Sequence, residues 1–303
     1  MSIKELHLAH TQGFCAGVVN AIDIVELSIQ KFGTPLYVRH AIVHNTSVIK
    51  DFESRGVIFV EDLNDVPDNQ IIVFSAHGTA PDVYEEGKRR NLTIVDATCP
   101  LVTKVHRQAR RYSDRGVHIV LIGHRGHQEL IGTSGYINSD LLHVIEDVDD
   151  INELSIPIDS EVGVLTQTTL SVDDTSKLIK ILQQKYPKLI TGGKEDICYA
   201  TQNRQDAVKA LSKKCQLIIV IGSANSSNSN RLVEAAKEMG MDSFIVDLPE
   251  EIDYSILEKY SVVGATSGAS VPIYLMDRLV ATIKKKYPKL AIASITCVPA
   301  NVD

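Results

Sequence analysis

Cys15, Cys99 and Cys198 stand 84 and 99 residues apart in a chain of 303. None has another cysteine close by in sequence, so they do not read as a disulfide framework or a compact zinc knuckle. Each opens a stretch of helical apolar spacing: Ile22, Val25 and Ile29 after the first, Val102, Val105 and Ala109 after the second, Ala207, Val208 and Leu211 after the third. Three thiolates without a fourth suit two centres, a zinc ion with one further ligand or an iron–sulfur cluster with one open iron. Cys215 and Cys297 fall outside this register and read as inert.

Polar residues keep the same register. His44, His127 and Asn228 lie 29, 28 and 30 residues after the three cysteines, each just beyond a short apolar run. Further runs end at His77, Thr168 and Ser270. Ser226, Ser227 and Asn228 belong to a Ser-Asn-rich stretch between a strand-like run and a helix pattern. Hydroxyl and amide side chains beside free helical N–H groups make an anion site, and phosphate is the natural ligand. Glu129 follows His127 by two residues on the same strand-end loop, where both would face one small cavity. An acid there is useful when a hydroxyl must leave as water. His40 and His124 read as structural.

The elements that position these residues come in threes. The runs 36–38, 119–123 and 217–222 are each followed by a second run ending in acids, at 58–62, 144–147 and 244–247. A third run follows in each case, at 71–75, 162–165 and 261–266. Short apolar runs alternating with helical patterns predict parallel sheets covered by helices, with ligands beyond the carboxyl ends of the strands. The expectation is an α/β fold of three similar parallel-sheet units in a pseudo-threefold arrangement around a central iron–sulfur cluster. The units are 1–98 (Cys15), 99–197 (Cys99) and 198–303 (Cys198 and the C-terminal tail), with the N-terminal strand open to packing on the third.

A formal charge of −7 argues against a nucleic-acid partner, which calls for a basic face. There is no signal-like or transit-like N-terminus and no apolar run of membrane-spanning length, so a cytoplasmic protein with no membrane partner is expected. Five scattered cysteines fit a reducing compartment.

The sequence closely resembles the 4-hydroxy-3-methylbut-2-enyl diphosphate reductases, the LytB/IspH family, which perform the last step of non-mevalonate isoprenoid synthesis. The carrying motifs are Gly-Phe-Cys-Ala-Gly-Val at 13–18, Tyr-Val-Arg-His-Ala-Ile-Val-His-Asn at 37–45 and Phe-Ser-Ala-His-Gly at 74–78. They continue with Asp-Ala-Thr-Cys-Pro-Leu-Val-Thr-Lys-Val-His at 96–106 and Thr-Gln-Thr-Thr-Leu-Ser-Val-Asp-Asp-Thr at 166–175. Asp-Ile-Cys-Tyr-Ala-Thr at 196–201 and Asn-Ser-Ser-Asn-Ser-Asn-Arg-Leu at 225–232 complete the set. Only about the last fifteen residues carry no family motif. Gln12, where many relatives have a basic residue, and Arg125 are departures outside the core constellation.

The resemblance implies a [4Fe–4S] cluster on Cys15, Cys99 and Cys198, with its fourth iron open to the allylic hydroxyl of the substrate. It implies that His44, His77 and His127, with Ser226, Ser227, Asn228 and Ser270, hold the diphosphate. Glu129 becomes the proton source, with Thr168 organising the hydroxyl end and His127 beside them. No GxGxxG follows a strand, so electrons come from an external donor such as a ferredoxin or flavodoxin. Read from the residues alone, three alternatives stand beside this one: a quinolinate-synthase-like dehydratase, an iron–sulfur carrier or sensor, and a zinc hydrolase. The three histidines and the Ser-Asn loop favour a diphosphate over a dicarboxylate, which calls for paired arginines.

Overall fold

The computed structural model describes residues 3–191 and 196–296. The elements run β1 (Glu5–Ala9), α1 (Ala16–Phe32), β2 (Leu36–Arg39), α2 (Thr46–Ser54), β3 (Val57–Val60), β4 (Ile71–Phe74), α3 (Pro81–Arg89) and β5 (Thr93–Asp96). Next come α4 (Pro100–Asp114), β6 (His118–Ile122), α5 (Gln128–Ser134), β7 (Leu142–Ile145), α6 (Val148–Glu153), β8 (Val162–Thr166), α7 (Val172–Lys185) and β9 (Leu189–Thr191). Last are α8 (Tyr199–Ser212), β10 (Leu217–Ile221), α9 (Ser227–Glu238), β11 (Asp242–Val246), α10 (Tyr254–Leu257), β12 (Val262–Ser267), α11 (Ile273–Lys286) and β13 (Ala291–Ile295).

Three sheets result, in the orders β3-β2-β4-β5, β7-β6-β8-β9 and β11-β10-β12-β1-β13. Every pairing is parallel. The three parallel-sheet α/β units expected from the repeat are therefore present. Each sheet also has a fourth strand beyond its three apolar runs: β5, β9 and, in the third sheet, β1, the N-terminal strand that the sequence leaves open to packing there. β13, within the stretch without family motifs, adds an outer fifth strand beside β1.

The apolar runs are continuous because both faces of these strands are covered. In β10, Leu217, Ile219 and Ile221 pack with Leu275 and Leu279 of α11, while Ile218 and Val220 pack with Val208 and Leu211 of α8. In β6, Val120 and Ile122 pack against Leu178 and Leu182 of α7, and Ile119 and Leu121 against Val105 and Ala109 of α4. The chain divides into two compact units. One comprises residues to 15, 44–46 and 199 onward, and holds the five-stranded sheet; the other comprises 16–43 and 47–198, and holds the two four-stranded sheets.

Strand order reverses at the same place in all three sheets, between β2 and β4, β6 and β8, and β10 and β12. Open α/β sheets bind ligands beyond the carboxyl ends at such a reversal. The segments leaving these six strands carry His44, His77, His127, Thr168, Ser226 and Ser270.

Candidate active site

Each of the three cysteines lies between a fourth strand and the helix that leads to the next sheet: β1–Cys15–α1, β5–Cys99–α4 and β9–Cys198–α8. Each is fixed by the same hydrogen bond. The backbone N–H of Cys15 donates to the Ala269 carbonyl at 3.0 Å, that of Cys99 to Ala76 at 3.1 Å and that of Cys198 to Thr168 at 3.0 Å. Each acceptor is the second residue past the third strand of its sheet, so the repeat extends to single hydrogen bonds. All three cysteines are outside any disulfide and partly exposed at the start of a helix. Cys215 is buried and its thiol is pushed up to about 12, chiefly by burial. Cys297 lies outside the described residues.

This donor set fits an iron–sulfur cluster. Three cysteines without a fourth match the thiolate ligation of such a cluster.

In the unit of residues 16–43 and 47–198, the reversal points of two sheets meet. His127 caps α5, its Nδ1 accepting from the Glu129 N–H at 3.2 Å. The His77 and His127 rings stand edge to face with centroids 6.0 Å apart. Ser75 Oγ lies 3.3 Å from His77 Nδ1. Two glycines make this approach possible. A Cβ on Gly132 of α5 would lie 2.9 Å from the Gly78 carbonyl oxygen, and Gly78 itself has φ +87° with His106 2.5 Å from the place of its absent Cβ.

Glu129 lies in the first turn of α5, not on an open loop as expected from the sequence. The helix begins at a histidine and runs only 7 residues, so the sequence carries no Ser, Thr, Asp or Asn signal for its start. The carboxyl is 3% exposed. Its Oε1 accepts from the Thr168 N–H at 2.6 Å and its Oε2 from Thr168 Oγ1 at 3.0 Å. Burial pushes its pKa up from an ordinary 4.5 to about 7, against the lowering effect of both Thr168 bonds. A carboxyl so placed holds and releases a proton near neutrality.

In the other unit, Ser226 caps α9 by accepting from the Ser229 N–H, and Ser227 and Asn228 form the first turn. Asn228 Oδ1 accepts from Ala269 N at 2.9 Å, fixing the turn before Ser270. Ser270 Oγ donates to the His44 carbonyl at 2.9 Å, so five of the expected anion ligands gather beyond the ends of β10 and β12. Sequence reasoning missed Arg204. This guanidinium is 2% exposed, and its Nη2 donates to the Gly13 carbonyl at 2.6 Å, two residues before Cys15. Its signal was an arginine on the α8 face that also carries Ala207, Val208 and Leu211. It also missed Gln167, whose Oε1 accepts from His124 N at 3.1 Å. Arg125 is bound to Asp150 at 2.7 Å on the surface.

A sequence profile described as LytB protein matches residues 6–284. The chain is similar to the 4-hydroxy-3-methylbut-2-enyl diphosphate reductase of Alcanivorax borkumensis, with 48% identity over 92% of this chain and 91% of the relative. Identity to the reductase of the same name from Psychromonas ingrahamii is 50%, over 93% and 90%. The solved E-1-hydroxy-2-methyl-but-2-enyl-4-diphosphate reductase of Plasmodium falciparum superposes with a TM-score of 0.95 at 38% identity, covering 99% of this chain and 94% of that one. A second solved structure, of an (E)-4-hydroxy-3-methyl-but-2-enyl diphosphate reductase, gives 0.65 at 28% identity, covering 93% and 100%. With a profile match from β1 into α11 and relatives near half identical over nine-tenths of its length, the chain belongs to the LytB protein family.

Proposed function

We propose that this chain reductively removes the hydroxyl of (E)-4-hydroxy-3-methylbut-2-enyl diphosphate, giving isopentenyl and dimethylallyl diphosphates. The observation that carries the reading is the near-full-length likeness to reductases of that name. The buried Glu129 carboxyl supplies the acid that the chemistry requires. Overall, the substrate alcohol takes up two electrons and two protons. The allylic C–O bond breaks, a C–H bond forms and the hydroxyl leaves as water.

Cys15, Cys99 and Cys198 hold a [4Fe–4S] cluster, and we take the chain as three units, 1–98, 99–197 and 198–303, with one of these cysteines in each. When bound, the cluster supplies an open iron as a Lewis acid for the hydroxyl oxygen and a store for electrons. His44, His77 and His127 bind the diphosphate with Ser226, Ser227, Asn228 and Ser270, supplying N–H and O–H donors to its oxygens. The bond from Glu129 N to His127 Nδ1 fixes the ring of His127. Thr168 orients the hydroxyl end and Glu129 delivers the proton with which the oxygen departs. After that delivery Thr168 N–H and Oγ1–H stabilise the carboxylate left behind.

Electrons come from an external carrier of the ferredoxin or flavodoxin kind. Among the described residues no helix is long and apolar enough to cross a membrane. Anaerobic incubation of the iron-loaded protein with substrate and dithionite tests the reading. It predicts the two isomeric diphosphates. Release of free diphosphate, or an unchanged substrate, contradicts it.

A further inference from the structure

We propose that the basic face of α4 is the docking surface for a small acidic one-electron carrier protein. The inference rests on the reductase reading, which requires an external donor. The whole chain carries 38 acids against 31 bases. α4 runs against that balance: residues 100–113 contain Lys104, Arg107, Arg110 and Arg111 and no Asp or Glu before Asp114. All four cations are exposed. At 3.6 residues per turn they share an arc of roughly 120° opposite the buried stripe of Val102, Val105 and Ala109.

The basic stretch at the end of α3 is answered locally, whereas at the end of α11 only Lys286 forms an ion pair among the described residues, with Glu258. In α3 and just after it, Lys88 pairs with Glu85, Arg89 with Glu86 and Arg90 with Asp68. Among the described residues no carboxylate forms an ion pair with Arg107, Arg110 or Arg111. Arg110 lies instead over the Tyr136 ring, 5.8 Å from its centroid. A basic face whose three arginines pair with no carboxylate attracts acidic partners.

The face also has a place for an anchor. Arg107 and Arg110 rim a recess of about 130 Å³ with Tyr84, Thr103, His106 and Tyr136. Its floor is the stacked pair His106 and Tyr136, with centroids 4.4 Å apart. Asp96 and Thr98 complete the wall, and Asp96 is engaged by Tyr84 OH at 2.8 Å and by Thr98 N at 2.9 Å. A recess of this size takes one side chain of a partner, and such filled pockets concentrate binding energy.

Position along the helix completes the argument. Cys99 caps α4, and at 1.5 Å per residue Lys104 to Arg111 lie about 7 to 18 Å along the axis from it. A carrier seated here lies beside the helix that bears a proposed cluster ligand. Each turnover needs two visits. Two reduced carriers each lose one electron, and the substrate gains both with two protons as its hydroxyl leaves as water.

The test compares iron-loaded parent with Arg107→Glu/Arg111→Glu, and with Lys284→Glu/Lys285→Glu as an equal charge change in the last turn of α11. The probe is an acidic plant-type [2Fe–2S] ferredoxin. The measurements are its Kd at low and high salt, turnover driven by it, turnover driven by dithionite, and iron content. We expect parent binding that weakens with salt, and in the α4 variant a rise in Kd and in KM for ferredoxin of roughly tenfold or more. Iron content and dithionite turnover should match the parent, and the α11 variant should bind like the parent. Arg107→Gln/Arg111→Gln should fall between. Absent or salt-independent binding by the parent overturns the proposal, as does equal weakening in the α11 variant or parent-like binding in the α4 variant. Dithionite failing to support turnover in the parent would count against the reductase reading, while the Kd comparison still decides the docking face.

Discussion

Thr168→Val deletes one hydroxyl and keeps the shape of the side chain. The Glu129 carboxyl keeps its bond from Thr168 N–H at 2.6 Å and loses the one from Oγ1 at 3.0 Å. A hydrogen bond to a charged group is worth about 1.5–3 kcal/mol, and one pKa unit is about 1.4 kcal/mol. The bond favours the carboxylate, so its loss raises the pKa by roughly one to two units, from about 7 to roughly 8–9. Glu129 acts protonated, so kcat with dithionite as reductant should be level at low pH and fall about tenfold per pH unit above about 7 in the parent. In Thr168→Val the plateau is lower, because the hydroxyl end of the substrate is less well oriented, but the fall begins one to two units later. At pH 8 the variant therefore retains a larger fraction of its own maximum than the parent does. A parent profile with no break near 7, or a variant that breaks at the same pH as the parent, refutes the assignment of Glu129 as the acid.

Glu129→Gln should keep its iron and its affinity for the diphosphate while losing on the order of 10²–10⁴ in turnover. Between about pH 4.5 and 7 the folded parent holds a proton that the unfolded chain has released, so its stability falls as pH rises through that window and is level above it. The amide has no such cost, so Glu129→Gln should gain on the parent across the window by about 3 kcal/mol, read by denaturant titration at several pH values. Cys15→Ser, Cys99→Ser and Cys198→Ser should each lose most of the iron and nearly all activity, whereas Cys215→Ser keeps both; iron analysis and turnover on the same preparations decide this. Gly132→Ala puts a methyl 2.9 Å from the Gly78 carbonyl oxygen, which should cost about 1–3 kcal/mol and raise KM by disturbing the His77–His127 pair. Unchanged melting and KM would show that α5 and the His77 turn yield without consequence.

The strands visible in the sequence were those buried on both faces, such as Leu217–Ile221, because burial leaves a continuous apolar run. Three outer strands were not visible, whereas the sequence leaves the N-terminal strand open to packing on the third unit, whose sheet holds β1. Thr93–Asp96 and Leu189–Thr191 are short sheet edges with mixed exposure, and Ala291–Ile295 is largely exposed. The place of β1 between β12 and β13 depends on pairing across almost the whole chain, which no local pattern encodes. The site was legible wherever the repeat fixed a position, as for the cysteines and the residues that leave the six reversal strands. Arg204 was hidden because an arginine on a helix is ordinarily exposed, and only its place on the apolar face of α8 marks it. Glu129 was legible as an acid but not in its burial or in its bonds from Thr168, on a strand end 39 residues away.

The most direct test of the account is a balance of electrons and oxygen in one anaerobic turnover experiment. Substrate carrying ¹⁸O in its allylic hydroxyl is converted by the iron-loaded protein with a titrated one-electron reductant, and products, water and oxidised reductant are counted. The account predicts two electrons consumed and one labelled water released for each isopentenyl or dimethylallyl diphosphate formed. Label kept in the product, or product formed without consumption of reductant, would contradict it.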